Sequence, residues 1–149
     1  MKKGERISRF AEQFEDGGPL HPCYLGFFQC FNEQRYYEAH DVLEHLWLER
    51  RDGNHYFFKG LIQVAGAFVH LQKQFLRPGH AKDGRRLRPA ARLFHLAMKN
   101  LEEFRPRHMH LDIEALHALC ASQAGGIIAS DFRLNPWNPE AAPQLALDG

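Results

Sequence analysis

The stretch from His55 to Gln74 leaves this chain the fewest choices. Between Tyr56 and Leu71 only Lys59, Gln63 and His70 are strongly polar, and no proline interrupts the run. Its most apolar part, Leu61 to Leu71, is broken by Gln63 and His70 and falls well short of the roughly 20 residues that span a bilayer. A helix that is apolar around most of its circumference has to be wrapped by other helices, so this one is predicted to be central. At about 100° per residue from Lys59, Gln63 falls near 40°, His70 near 20° and Gly66 near −20°, one narrow polar stripe. Gly60, Gly66 and Ala67 lie in or beside it. Glycine costs roughly 1 kcal/mol in a helix interior relative to alanine, so its presence predicts a close neighbouring backbone. The stripe has two readings, a buried polar layer or a thin solvent-exposed line.

The segments before and after supply the wrapping. Ile7, Phe10 and Phe14 predict a short helix over 5–16, stopped by Asp16-Gly-Gly-Pro19. A second runs from Pro22 to Asn32, since proline suits a first turn. A third covers Tyr36 to Arg51 and stops at Asp52-Gly53-Asn54. After a Pro-, Gly- and Arg-rich loop from Arg77, a helix over Pro89–Phe104 buries Leu93, Leu96, Ala97 and Leu101. A last helix over Leu111–Ala121 takes Asp112 as its N-cap and ends at Gly125-Gly126. No repeat is present, and Ile127-Ile128 is the one hint of a strand. These elements predict an all-α bundle of about five to six helices around the central helix. One domain covers 1–134, and 135–149 is an extended or disordered tail on which Trp137 is available to dock. With 149 residues, 44% hydrophobic and 25% charged, the chain can bury a core without staples.

Function is most legible between Tyr36 and Trp47. His40, Glu44 and Trp47 are spaced by four and three, so a helix points all three one way. They fall on the border between an apolar arc and a wet arc carrying Asp41, His45, Glu49 and Glu38. Imidazole and carboxylate at i and i+4 can chelate one zinc-like divalent metal. A third ligand then has to come from a facing helix, as in bundle sites generally, and His70 on the polar stripe is the candidate. Gln63 could orient a ligand or water, with Trp47 and Tyr37 as pocket residues. Three ligands and an open position would activate water, which makes a metal-dependent hydrolase the natural enzyme class. The alternative is structural, with His40 and Glu44 bonded to each other in a polar layer that only specifies the packing.

The segments Tyr37-Glu-Ala-His40-x-x-x-Glu44-x-x-Trp47, Gly60-Leu-Ile-Gln-x-Ala65 and His70-Leu-Gln resemble the family catalogued as domain of unknown function 309. The resemblance covers Phe27 to Gln74. It implies a small all-α protein without an established activity, for which metal binding has been suggested. It also implies His40, Glu44 and Trp47 as signature residues, and His70 as the matching position on the next helix. The family has a short Gly-Asn turn after the third segment, whereas this chain has the longer, basic Lys73–Pro89 stretch.

Charge supplies the rival reading. Net charge is +1, but Met1–Phe58 holds 7 basic against 10 acidic residues and Arg77–Arg107 holds 9 against 3. Arg85, Arg86, Arg88 and Arg92 form a candidate anion-binding set, and a non-enzymatic module could use it to grip nucleic acid or an acidic partner. His108 and His110 read as surface residues. No Ser or Cys stands in a nucleophile arrangement, and no glycine-rich phosphate loop precedes a helix. The odd count of three cysteines, Cys23, Cys30 and Cys120, is not a disulfide framework and predicts a reducing compartment. With no apolar leader after Met1-Lys-Lys, the expected location is cytoplasmic, without a membrane partner. The ligand expected at His40 is small and polar, and a homodimer is compatible with the sequence.

Overall fold

Pro22 in the first turn of a helix, Asp52-Gly53-Asn54 between two others and Asp112 before the last set the frame of the bundle. The computed structural model describes residues 2–148. Helices run over Lys3–Glu12 (α1), Pro22–Asn32 (α2), Tyr36–Glu49 (α3), His55–Leu76 (α4), Leu87–Leu101 (α5) and Ile113–Ala129 (α6). The fold is an all-α bundle. Consecutive helices are spatial neighbours: α3 and α5 flank α4, α2 packs on α3, α6 on α5, and α1 rests on α2 and α3.

The wrapping predicted for the central helix is what the chain builds. From Phe57 to Leu71, α4 buries ten residues. Aromatic side chains from three other helices meet it, with Phe68 lying 5.3 Å from Phe31, 5.3 Å from Tyr36 and 5.2 Å from Phe94 between ring centroids. The close backbone predicted from glycine is found at Gly60, where an added Cβ would meet the Ala97 carbonyl oxygen at 3.5 Å, whereas the neighbours of Gly66 are side chains. A Cβ on Gly60 would stand 2.8 Å from Leu101 Cγ, and one on Gly66 3.3 Å from Leu93 Cδ1, so α5 is the helix that needs both glycines small. The polar stripe therefore faces α5.

Several boundaries differ from expectation. α1 stops at Glu12, and Phe14 instead lies edge-on to Phe10 and close to Gly26. α5 begins two residues early because Pro89 still falls in its first turn, where the missing N–H costs nothing. Its last residues tighten into a 3₁₀ turn, Glu102–Phe104. α6 does not end at Gly125-Gly126 but continues to Ala129, anchored by buried Ile127. It stops where Asp131 and Phe132 turn left-handed, with Phe132 N donating to Ile127 O at 2.9 Å. Ile127-Ile128 is helical. The strands present are two-residue segments, Arg107–His108 (β1) and Leu111–Asp112 (β2), paired antiparallel around Met109 and His110 with φ of 47° and 66°. Tyr24 holds that turn by donating to Met109 O at 3.0 Å.

Residues 135–148 carry neither helix nor strand, yet they are tied to the bundle. Trp137 is 4% exposed and its Nε1 donates to Tyr36 Oη at 3.0 Å. Asn135 donates to Leu71 O, and the Asn32 amide both donates to and accepts from the Leu145 backbone. Among the described residues no helix is long and apolar enough to cross a membrane.

Candidate functional site

On α3, His40 sits half-buried at the border predicted from its helical angle. Its Nδ1 is 3.1 Å from Asp41 Oδ1 and its Nε2 is 3.8 Å from Glu44 Oε2. A carboxylate can only accept, so Asp41 makes Nδ1 the protonated nitrogen and turns the Nε2 lone pair toward Glu44. Lys3, from the first turn of α1, brings its Nζ to 3.3 Å from Asp41 Oδ1 and 3.9 Å from Glu44 Oε1. The exposed Tyr37 ring stacks over His40 at 6.4 Å, and Lys73 Nζ lies 6.0 Å above the Tyr37 ring. Beside this cluster a cleft of about 390 Å³ opens between α1 and α3, lined by Arg6, Phe10, Arg35, Tyr37 and Asp41 among others. Gly66 of α4 lies beside the ring, where an added Cβ would be in ordinary van der Waals contact with His40 Cδ2 at 4.0 Å.

His70 is not gathered with His40 and Glu44. It faces the start of α5, where Arg86 Nη1 donates to its Nδ1 at 3.0 Å. That bond leaves the proton on Nε2, so neither ring nitrogen offers a free lone pair. Burial first, and then the charges of Arg86 and Lys73, hold its pKa below the ordinary histidine value. Among the described residues no three His, Cys, Asp or Glu side chains are grouped so as to hold a metal ion. Gln63 is also drawn toward α5, accepting from Asn100 Nδ2 at 2.8 Å. Trp47 stacks on His55 at 5.0 Å, with its Nε1 buried and without a partner.

The four arginines have separate fates. Arg86 Nε donates to the buried Asp83 at 2.9 Å, and Arg77 donates to the other oxygen at 2.9 Å. The Arg86 hydrogen bond is the main reason the Asp83 carboxyl is held below the usual range. Arg88 lies 4.0 Å over the Phe132 ring. With Arg85 it lines a groove of about 360 Å³ that also includes Asp131. Arg92 is exposed one turn further on. His108, expected at the surface, is half-buried against Phe57 at 4.7 Å and bonds Asn54 Oδ1 at 2.6 Å. The three cysteines are free and buried, and burial raises Cys23 and Cys30 to about 11 and Cys120 to about 12. Thiols so disposed are inert packing groups.

Residues 24–80 match the family described as a domain of unknown function, DUF309. That match covers less than half of the chain. It holds almost all of α2, the whole of α3 and α4 and the turn to His80, and with them His40, Asp41, Glu44 and His70. Lys3 and Arg86 lie outside the DUF309 segment, as do α1, α5, α6 and the tail. No curated protein and no solved structure matches the chain.

Sequence reasoning missed Lys3 and Asp83. Asp41 was visible as a wet-arc residue, but nothing in helical spacing says that it backs the ring of its neighbour. Lys3 reaches the cluster across a helix–helix contact, which leaves no periodic trace.

Proposed function

We propose that the protein is a binding module that takes a divalent cation, and through it a small polar ligand, on the outer face of α3. His40 Nε2 and the Glu44 carboxylate are the two protein donors. The observation that supports this reading is the 3.1 Å contact between His40 Nδ1 and Asp41 Oδ1. With that carboxylate behind the ring, a lone pair and an anion face each other 3.8 Å apart, an arrangement that calls for a positive charge between them. Metal-binding imidazoles are commonly backed by a carboxylate in this way, which fixes the tautomer and raises ligand basicity. One imidazole nitrogen and one carboxylate oxygen suit zinc or manganese. Two protein donors leave the remaining coordination positions to water or to oxygen atoms of a ligand. A water-activating centre of three protein ligands would need a third donor, and His70 is engaged by Arg86. The supported role is therefore binding rather than hydrolysis.

The test compares melting of untagged wild type and Glu44→Gln, each with metal and with EDTA, alongside elemental analysis of the purified protein. Gln keeps the size and most hydrogen-bonding capacity but removes the charge. Wild type should gain RT ln(1 + [L]/Kd), about 2.7 kcal/mol at a hundredfold excess of metal over Kd, and lose it in EDTA. Glu44→Gln should gain little. Equal responses in the two proteins would overturn the assignment.

A further inference from the structure

The cation position beside His40 already has a neighbour of the right charge. Lys3 Nζ stands 3.3 Å from Asp41 Oδ1 and 3.9 Å from Glu44 Oε1, bridging the carboxylate behind the ring and the one in front of it. Its side chain is half exposed, whereas Asp41 is 14% exposed, so the carboxylate is the fixed partner and the ammonium the movable one. Lysine carries a compact point charge on a flexible stem, which can leave a carboxylate pair without disturbing a backbone. α1 is itself lightly held: it packs on α2 and α3 and buries only Ile7 and Ala11. Its N-cap, Lys2, makes no side-chain cap bond.

We infer that the Lys3 ammonium is the built-in competitor for Glu44, so that a divalent ion held by His40 Nε2 and Glu44 has to draw that carboxylate away from Lys3. Lys3 thereby sets the threshold of the site. The ion has to outcompete a tethered monovalent charge, and a dication does so by interacting more strongly with the Glu44 carboxylate, which His40 Nε2 joins as a second donor. This inference rests on the reading of His40 and Glu44 as cation donors.

The experiment titrates the full-length protein with manganese(II) and follows the free ion by electron paramagnetic resonance. It uses wild type, Lys3→Met, Lys2→Met and Lys3→Met combined with His40→Ala. Methionine keeps the aliphatic stem of a half-exposed residue, so folding is not at risk. Lys3→Met should bind manganese about two- to fivefold more tightly than wild type, the scale of one partly exposed ion pair. Its advantage should shrink as salt is raised. Lys2→Met removes the same charge one residue away and should leave affinity unchanged, while His40→Ala in the Lys3→Met background should abolish the tight binding. Equal affinity in wild type and Lys3→Met would overturn this inference alone. So would an equal gain in Lys2→Met, which would reduce the effect to general electrostatics. Tight binding that survives His40→Ala would place the ion elsewhere and overturn it as well. Absence of binding to wild type and Lys3→Met at millimolar manganese would overturn the binding function and this inference together.

Discussion

Around His40 an aspartate, a glutamate and a lysine meet an imidazole, and at His70 the imidazole meets one arginine, held in turn by an aspartate that a second arginine also meets. The ingredients are nearly the same and the wiring is opposite. At His40 a carboxylate takes the Nδ1 proton and leaves Nε2 facing a second carboxylate, with a half-exposed lysine close by. At His70 an arginine fills the Nδ1 lone pair, and that arginine is held by the buried Asp83, which Arg77 also caps. The tail is closed in the same sense, with Trp137 against Tyr36 of α3 and Phe75 in the last turn of α4. One polar cluster is self-satisfied and belongs to the architecture. The other keeps unmatched capacity at the surface, which is what a binding site requires.

That contrast can be attacked at its closed end first. Trp137→Ala removes a ring that is 4% exposed together with its bond to Tyr36, and a truncation of this kind costs about 3–5 kcal/mol. Chemical denaturation should show it as a lower midpoint with little change of slope, and a midpoint near wild type would mean that the tail only lies on the bundle. Asp83→Asn comes next. It removes the charge that balances Arg86, whose side chain is 11% exposed, and melting should fall by several degrees.

The pH dependence sharpens the contrast further. His70 is held neutral, so its folded pKa is below the ordinary value of 6.5 and the unfolded chain takes the proton first. Its contribution to stability is therefore present above that ordinary value and is lost as pH falls toward the folded value. Burial lowers His21 and His108 as well, so they slope the same way. Melting temperature should fall between about pH 7.5 and about pH 5.5, and His70→Gln, which can still accept from Arg86, should flatten the curve. An unchanged curve in His70→Gln would remove His70 from the closed network. Asp83 acts lower on the scale. Its depressed pKa stabilises the fold above the ordinary carboxylate value of 3.8, and that part is lost as pH falls through the folded value.

The smallest effect belongs to the open cluster. In the absence of metal, Glu44→Gln should cost less than about 1 kcal/mol, because the Glu44 side chain is 33% exposed and its partners stand 3.8 and 3.9 Å away. A loss as large as that of Trp137→Ala would make Glu44 an architectural residue and erase the distinction.

Much of this molecule follows from local rules that need no partner. The greasy run after His55 had to be a central helix, because only a wrapped helix can bury ten residues on nearly all sides. Pro22 and Asp112 marked helix starts through their own chemistry, the latter accepting from Ala115 N at 2.9 Å. Gly60 and Gly66 announced a close neighbour, and the i to i+4 spacing placed His40 and Glu44 together. Local rules also misled where a tertiary gain outweighed them: Gly125-Gly126 reads as a stop, but burial of Ile127 carries α6 through it. The direction of the polar stripe was a different kind of question. Angles around one helix are internal to it, whereas the identity of the helix that faces the stripe depends on how α3 and α5 dock. That docking gave Gln63 and His70 to α5, leaving His40 and Glu44 with Lys3 of α1. Helical periodicity therefore determined which side chains share a face. Only packing between helices decided which faces meet, because the contacts that select a partner join residues far apart in the chain.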